Sequence, residues 1–280
     1  KFINIINLYL EGDAPTMQKA WGLLMSGLLL MGYVASAAPN LEVVASNLDN
    51  PRGLSFGPDG ALYVTEAGKG GNGPCLVNAE NKDTCLGTSG AITRIFQGQQ
   101  ERIAMNLPSM APQDGSGAIG PQSLAITSQG VYFLVGLGFD PAVRTDPQKL
   151  GNAGGQNLGQ LVYLPLNGSP QNWDDIAQYE ATNNPESAKV DSNPYAILAV
   201  ADGFVVADAG GNSLLHVDNN KTITTLATFG PRMVDAPPFL GMPEGSQIPM
   251  ESVPTCVVQG TDGAFYVGEL TGFPFEIGAA

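Results

Sequence analysis

The chain has 280 residues, with 12 Lys and Arg against 26 Asp and Glu, and a formal net charge of −14. A surface this acidic repels nucleic acid and anionic lipid headgroups, which argues against nucleic-acid binding and favours neutral ligands or cations. Apolar residues make up 43% and charged residues 14% of a chain that carries 36 Gly and 21 Pro. That composition is globular and rich in turns, as is typical of all-β proteins.

The N-terminal region has the pattern of a secretory signal peptide. It starts with Met17 and Lys19, continues through an uncharged run over residues 20–34 and ends in Ala35-Ser36-Ala37. This pattern predicts a signal peptide over residues 17–37 that is cleaved after Ala37. An uncleaved membrane anchor is the alternative, but the apolar run is short for a bilayer span and small residues follow it instead of basic ones.

The predicted cleavage sets the domain organisation. Residues 1–16 precede a plausible initiator methionine and are predicted to be a non-native upstream segment. Residues 38–280 form the predicted folded domain, which keeps the net charge of −14 because two Lys and two acidic residues are removed together. We therefore expect an exported protein, periplasmic or extracellular, with no stable membrane anchor after cleavage.

Two of the three cysteines are close in sequence. Cys75 and Cys85 lie in a Gly-rich stretch, and in an oxidising compartment they are predicted to form a disulfide. A metal site is the weaker alternative, since neither a CxxC pair nor a histidine accompanies them. Cys256 lies in the apolar segment TCVVQ and is predicted to be a small buried residue of a strand.

A repeated pattern predicts the architecture. Four segments begin with proline, any residue, a small residue and an apolar residue, at Pro51, Pro121, Pro194 and Pro254. Each is followed by a turn that ends in glycine and then by a strand, at Gly60, Gly130, Gly203 and Gly263. With two further strands behind each pair, the units are four-stranded meanders in series. This arrangement predicts an all-β fold, a β-propeller of four-stranded blades.

The ends of the chain suggest an incomplete ring. Residues 41–48, LEVVASNL, resemble ERIAMNL at 101–107, the predicted fourth strand of a blade, and are expected to close the ring as the last strand of another blade. The sequence stops after two strands of its fourth unit. It is therefore interpreted as a C-terminally truncated fragment of about four blades from a six-bladed propeller.

One helix is expected within the strand pattern. The segment Trp173–Asn183 has Asp174 and Asp175 near its start, where carboxylates favour a helix N-terminus. Asn184-Pro185 would end it. We expect this helix to pack as a cap on a blade edge.

The long connections are predicted to share one rim. They follow the second and fourth strands of the units, at 68–90, 107–121, 136–160 and 230–254. Long loops on a rigid scaffold are where binding sites are usually built. The residues that follow three of the prolines, Arg52, Gln122 and Tyr195, should meet at the channel mouth on this rim. They are the candidate residues for binding a small molecule, a glycan or a protein partner.

Three carboxylates share one position when the units are aligned on valine: Glu66, Asp208 and Glu269, with Leu137 in the second unit. Converging carboxylates suit Ca²⁺, the one cofactor that this pattern would fit. The favoured alternative is structural: each acid accepts hydrogen bonds from the backbone of the following Gly-rich turn, as in residues 208–211.

Other catalytic patterns are absent from the sequence. His216, the single histidine, is expected on a third strand away from the channel, where a general base is not expected. No G-x-S-x-G segment occurs. The catalytic residues, if the protein is an enzyme, are not identified by sequence.

Several motifs together resemble the ScyD/ScyE family of exported bacterial propeller proteins, related to NHL-repeat propellers. They are NPRGLSFGPDGALYVTEAG, GTSGAITRI after the two cysteines, AIGPQSLAI, DSNPYAILAVADGFVVADAGGNSLLHVD, and ESVPT with DGAFYVGELTGFPF. The resemblance implies a propeller fold, export and a link to the biosynthesis of secreted secondary metabolites such as scytonemin.

The predicted fold is also similar to the six-bladed TolB-like group that includes calcium-dependent phosphotriesterases and gluconolactonases. That similarity implies a channel Ca²⁺ held by Glu, Asn and Asp, of which only the rim acids match here. Two functions thus follow: an exported, non-enzymatic propeller that binds its partner through the long-loop rim, or a Ca²⁺-dependent hydrolase that uses Glu66, Asp208 and Glu269.

Overall fold

The computed structural model describes residues 42–275. The predicted upstream segment and signal peptide lie outside this range. Within it the regular structure is mostly β-strand, with one α-helix and three short 3-10 helices at Pro141–Arg144, Gly155–Asn157 and Pro238–Leu240.

The first sheet contains β1 (Pro51–Phe56), β2 (Leu62–Glu66), β3 (Cys75–Val77), β4 (Asp83–Phe96) and β5 (Gln99–Ala111). Strands β1, β2, β4 and β5 pair antiparallel in that order, which gives the predicted four-stranded meander. β4 and β5 also continue beyond the meander, and β3 pairs with this extension of β4.

The second and third sheets are four-stranded antiparallel meanders in chain order. The second contains β6 (Pro121–Ile126), β7 (Gly130–Val135), β8 (Gln160–Pro165) and β9 (Gln171–Asp175). The third contains β10 (Pro194–Val200), β11 (Gly203–Asp208), β12 (Ser213–Asp218) and β13 (Ile223–Thr228).

Two hairpins complete the described chain. The first is β14 (Arg232–Asp235) with β15 (Gln247–Met250), in the connection after the third sheet. The second is β16 (Pro254–Gln259) with β17 (Phe265–Glu269), which begins the fourth repeat unit.

The sheets follow one another around a common centre. β1 contacts β6, β6 contacts β10, and β10 contacts β16, so the first strand of each unit lies innermost. Neighbouring sheets pack face to face: in β7, Phe133 belongs to the apolar core shared with the first sheet and Leu134 to the core shared with the third. Alternate residues of one strand thus bury on opposite faces, each contributing about 1.5–3 kcal/mol. The prediction of a β-propeller of four-stranded blades is confirmed.

The predicted strand at the N-terminus is not observed. Residues 42–48 form no strand and are mostly exposed. The side chain of Gln100 bonds to the backbone of Ser46, and Arg102 Nη2 donates to the carbonyl oxygen of Asn47 at 3.5 Å. The adjacent apolar residues Val43 and Val44 have no neighbouring strand to pair with in the described part of the chain. The resemblance of this segment to the fourth strand of a blade is therefore not sufficient to make it a strand here.

The helix starts later than predicted. Trp173 lies in β9, and α1 covers Ile176–Asn183, with the Asp175 carboxylate accepting a hydrogen bond from Gln178 N at 2.8 Å as its N-cap. An N-cap residue sits outside the helix, so two adjacent aspartates mark the boundary and not the first turn. Trp173 instead packs edge-on against Tyr132.

Cys256 was predicted to be buried, and this is wrong: its thiol is free and exposed. Side chains alternate along β16, and Val257 takes the face that packs on the third sheet. The side chain of Cys256 therefore lies on the opposite face of β16.

Candidate functional site

Each first strand begins with the same irregularity. Pro51, Pro121, Pro194 and Pro254 each pair with the last residue of the second strand, and the register shifts immediately afterwards. Such a bulge places an extra residue in one strand and re-aims its side chain. Proline has no N–H to donate to the ladder, so within a sheet it is tolerated at positions such as this first residue of a strand.

The bulged residues meet in one cavity of about 340 Å³ at the centre of the sheets. Its lining includes the residue after each proline, namely Arg52, Gln122, Tyr195 and Thr255. The structure thus brings together all three residues that the sequence nominated for the channel mouth. Their role in binding stays a prediction.

The three side chains offer different chemistry. Arg52 is exposed and donates one hydrogen bond, from Nη2 to the carbonyl oxygen of Ala118 at 2.8 Å. Gln122 is only 4% exposed, and Tyr195 is half-buried. Arg52 is the one charged residue of the lining, so the cavity favours a ligand with hydrogen-bond acceptors or negative charge.

The small residue of the repeat is explained by close packing between first strands. Thr65 Oγ1 accepts a hydrogen bond from Gly53 N at 2.8 Å and donates one to the carbonyl oxygen of Gln122 at 3.0 Å. The hydroxyl of Thr65, on β2, thus links β1 of the first sheet to β6 of the second. Ser123 and Ala196 occupy the equivalent position in the next two sheets and also line the cavity.

Glu66 is fully buried and its carboxylate is occupied by protein donors. Arg102 Nε and Nη2 donate to it at 3.0 and 2.6 Å, Asp49 N at 2.6 Å and Thr93 Oγ1 at 2.5 Å. Burial alone would raise its pKa, but the hydrogen bonds from Arg102, Asp49 and Thr93 outweigh burial and hold the pKa below its ordinary value. The carboxylate ties β2 to the third and fourth strands of its own sheet.

Asp208 is also fully buried, and its donors lie in the turn that follows it and in the two residues before β10. Oδ1 accepts from Asn193 N at 2.6 Å and from Gly210 N and Gly211 N at 3.1 Å each, while Ser192 Oγ donates to Oδ2 at 2.7 Å. Burial raises the pKa of this carboxyl against those hydrogen bonds. This geometry is that of the structural alternative: the acid closes the Gly-rich turn that follows it.

Glu269 pairs with Arg232 of β14, and burial raises its pKa while Arg232 lowers it. The three acids occupy equivalent places in separate sheets. Within residues 42–275, no group of three or more His, Cys, Asp or Glu side chains is arranged to hold a metal ion. The structure therefore does not bring these carboxylates together.

The second unit was aligned incorrectly by sequence. Pro121 pairs with Val135, whereas Pro51 pairs with Glu66, so Val135 and not Leu137 occupies the carboxylate position. The valine alignment shifted this unit by two residues, which leaves the same face pointing inward.

The long connections follow second and fourth strands, as predicted, and the turns after the first and third strands are short. The third sheet is an exception, because only residues 209–212 connect its second strand, β11, to β12. Three predicted loops are partly strand. The loop at 68–90 contains β3 and the start of β4, the loop at 107–121 contains the end of β5, and the loop at 230–254 contains β14 and β15. β4 and β5 stay paired in this extension from Cys85 and Ala111 to Gly87 and Ser109, although the register shifts after Gly87.

The predicted disulfide is present on this extension. Cys75 and Cys85 lie directly opposite each other in β3 and β4 and are bonded. A disulfide is typical of proteins in an oxidising, exported compartment. In the part of the chain that the structure describes, no helix is long and apolar enough to cross a membrane.

Some site residues were not found from sequence. Thr255 follows the fourth proline, and the repeat itself was the signal that could have placed it in the cavity. Arg102, the partner of Glu66, gave no such signal because its strand partners depend on register. Glu180 is buried on α1 although the sequence shows only a helical glutamate.

No family model and no curated protein matches the chain. Similar solved structures include a catalytically inactive virginiamycin B lyase from Staphylococcus aureus, solved with quinupristin, at 15% identity and a TM-score of 0.40, covering 82% of this chain and 52% of that one. A streptogramin B lyase structure shows 14% identity and a TM-score of 0.36, covering 79% and 62%. Selenomethionine-substituted virginiamycin B lyase from Staphylococcus aureus shows 14% identity and a TM-score of 0.34, and the match covers 80% of this chain and 65% of that one.

The chain spans between 52% and 65% of the length of these three structures. At this level of similarity the fold assignment depends on the sheets themselves. Their four-stranded meanders around a common centre make this chain a β-propeller protein.

Proposed function

We propose that the protein is an exported, non-enzymatic β-propeller of the ScyD/ScyE type that binds a small molecule at the mouth of its central channel. The observation that carries this proposal is the convergence of Arg52, Gln122 and Tyr195, from three successive sheets, on one cavity. Because each comes from the same bulge of a repeated unit, the convergence is a property of the whole fold.

The size of the cavity favours a small molecule over a glycan chain or a protein. Small-molecule pockets generally measure about 300–1,000 Å³, and this one measures about 340 Å³. The Arg52 guanidinium suits a carboxylate or another anionic oxygen, and the Tyr195 ring suits a flat aromatic group. An aromatic carboxylate combines both features.

Export is supported by the Cys75–Cys85 disulfide and by the predicted signal peptide over residues 17–37. A secreted secondary metabolite, as the resemblance to the ScyD/ScyE family implies, would meet the protein in that compartment. The Ca²⁺-dependent hydrolase is the alternative, but the carboxylate oxygens of Glu66 and Asp208 that it would use already accept hydrogen bonds from the protein.

Calorimetric titration with a panel of aromatic carboxylates and their methyl esters tests this proposal. We expect carboxylates to bind better than their esters, and Arg52→Ala and Tyr195→Ala each to weaken binding by about tenfold or more. Arg94→Ala is the matched control, because Arg94 pairs with Asp59 outside the cavity. Equal effects of Arg52→Ala and Arg94→Ala, or turnover of the esters by the purified protein, would contradict the proposal.

A further inference from the structure

A buried acidic cluster lies beside the β11–β12 turn, away from the channel lining. Helix α1 connects two sheets there: Ala177 N donates to the Gly159 carbonyl oxygen at 3.0 Å, and the hydroxyl groups of Tyr179 and Thr225 lie 2.9 Å apart. Glu180, the next residue, points at the turn of the third sheet. The helix thus spans the junction between the second and third sheets.

Glu180 is 1% exposed, and its Oε1 has no hydrogen-bond partner. Its carboxylate lies directly on the turn, since a β-carbon built on Gly211 would be 2.8 Å from Oε2. Asp191 approaches the adjacent residue in the same way, with Oδ1 at 2.8 Å from a β-carbon built on Gly210, and this oxygen is also buried without a partner. Two buried carboxylates, each with one unpartnered oxygen, therefore lie against consecutive glycines.

The charges that act on Glu180 are all negative: Asp208 at the end of β11, and Asp191 and Glu186 in the segment after α1. No ion pair in residues 42–275 includes Glu180. Burial and these charges raise the pKa of Glu180 to about 8. Burial also raises the pKa of Asp191 to about 6, with Asp208 and Glu251 acting in the same direction and Lys189 against them.

Among the residues that the structure describes, the basic groups nearby form no ion pair with Glu180. Arg144, on the 3-10 helix that packs against α1, pairs with Asp175 and donates to the carbonyl oxygen of Leu158 at 2.8 Å. Lys189 lies 3.7 Å from Asp191 and is largely exposed. A buried carboxyl without a cation is stable there only in its neutral form.

We propose that Glu180 is a proton-dependent latch: its protonated carboxyl keeps α1 docked on the Gly210-Gly211 turn, and ionisation loosens α1 and the segment 184–193 that follows. This segment ends in Ser192 and Asn193, which hold Asp208. It leads directly into Pro194 and Tyr195 at the channel mouth. If the proposed function holds, the latch makes the ligand site sensitive to pH. The latch itself does not depend on the proposed function.

Hydrogen exchange, with the intrinsic pH dependence of exchange removed, tests the latch without any ligand. Between about pH 6 and about pH 9 we expect peptides covering residues 176–193 to lose protection by about tenfold, while those covering 203–208 keep theirs. In Glu180→Gln, a neutral side chain of the same shape, protection of 176–193 should be equal at both pH values. Glu186→Gln removes a neighbouring charge and should keep the pH dependence.

Unchanged protection of 176–193 in the wild-type protein would overturn the proposal, and so would a pH dependence that survives in Glu180→Gln. The wild-type measurement decides the matter even if that variant fails to fold. Because no ligand is present, a negative result leaves the channel-mouth proposal untouched.

Discussion

The α-carbons of Gly53 and Ser123 face each other with no room for a side chain between them. A β-carbon on Gly53 would lie 2.8 Å from Ser123 Cα and 2.9 Å from the carbonyl oxygen of Gln122. Both are backbone atoms, so a β-carbon on Gly53 could be accommodated only by moving one sheet against the next. The spacing of the innermost strands, and hence the width of the channel, is set at this contact.

Gly53→Ala should therefore destabilise the fold. We expect a loss of about 1–3 kcal/mol in the free energy of unfolding, the usual cost of overpacking. Gly230→Ala is the matched control, because nothing lies within 4 Å of a β-carbon there, and it should be nearly neutral. Urea denaturation of both variants checks this; equal stabilities would show that the inner strands separate easily.

Glu66→Gln should weaken the first sheet. The change leaves Arg102 without its buried carboxylate, and we expect a loss of about 1–3 kcal/mol at neutral pH. Since the folded-state pKa of Glu66 is lowered from the ordinary value of 4.5, its stabilisation is present above about pH 4.5 and disappears as pH falls through the folded-state pKa.

Denaturation curves of wild type and Glu66→Gln at several pH values measure this difference. The two stabilities should converge at acid pH. Asp59→Asn is the control, since Asp59 pairs with Arg94 at the surface and should contribute little. A constant difference between wild type and Glu66→Gln down to about pH 2 would contradict the assigned role.

Replacing both Cys75 and Cys85 by serine should lower stability by about 3 kcal/mol, the chain-entropy value for so short a loop. The bond lies on the β3–β4 extension, so ligand affinity at the channel mouth should not change. Thermal unfolding with and without a reductant provides the measurement. Reductant should affect the wild type alone, and a matching shift in the double variant would show that another thiol is responsible.

Calcium should have little effect on stability. The oxygens of Glu66 and Asp208 accept hydrogen bonds from the protein, and a cation would have to displace those donors. We expect thermal unfolding in the presence of Ca²⁺ and after EDTA treatment to agree within about 1 °C. A saturable rise of several degrees would favour the Ca²⁺-dependent hydrolase.

The repeat was sufficient to predict the fold because its signals are local. Each of the four prolines marks the bulge at the start of a first strand, and the residue after it reaches the channel. Ladder geometry tolerates proline at this position, and close packing favours the small residue two positions later. Arg52, Gln122 and Tyr195 were therefore nominated correctly as neighbours.

The remaining features depend on partners that are distant in sequence. Val135, and not the predicted Leu137, occupies the position opposite Pro121, because strand register and not the valine pattern sets that position. The structural role of Glu66 depends on Arg102, which lies two strands away. Glu180 was missed because a helical glutamate normally faces solvent, and only the approach of the β11–β12 turn buries it.

On the proposed function, the bulge that follows each proline also separates ligand choice from stability. The side chains at 52, 122, 195 and 255 leave the regular pairing of their strands, so exchanging them does not require repacking the apolar cores between blades. A lineage with this scaffold is free to change its chemical preference one blade at a time, and a laboratory library confined to those four codons would sample new specificities on an intact scaffold.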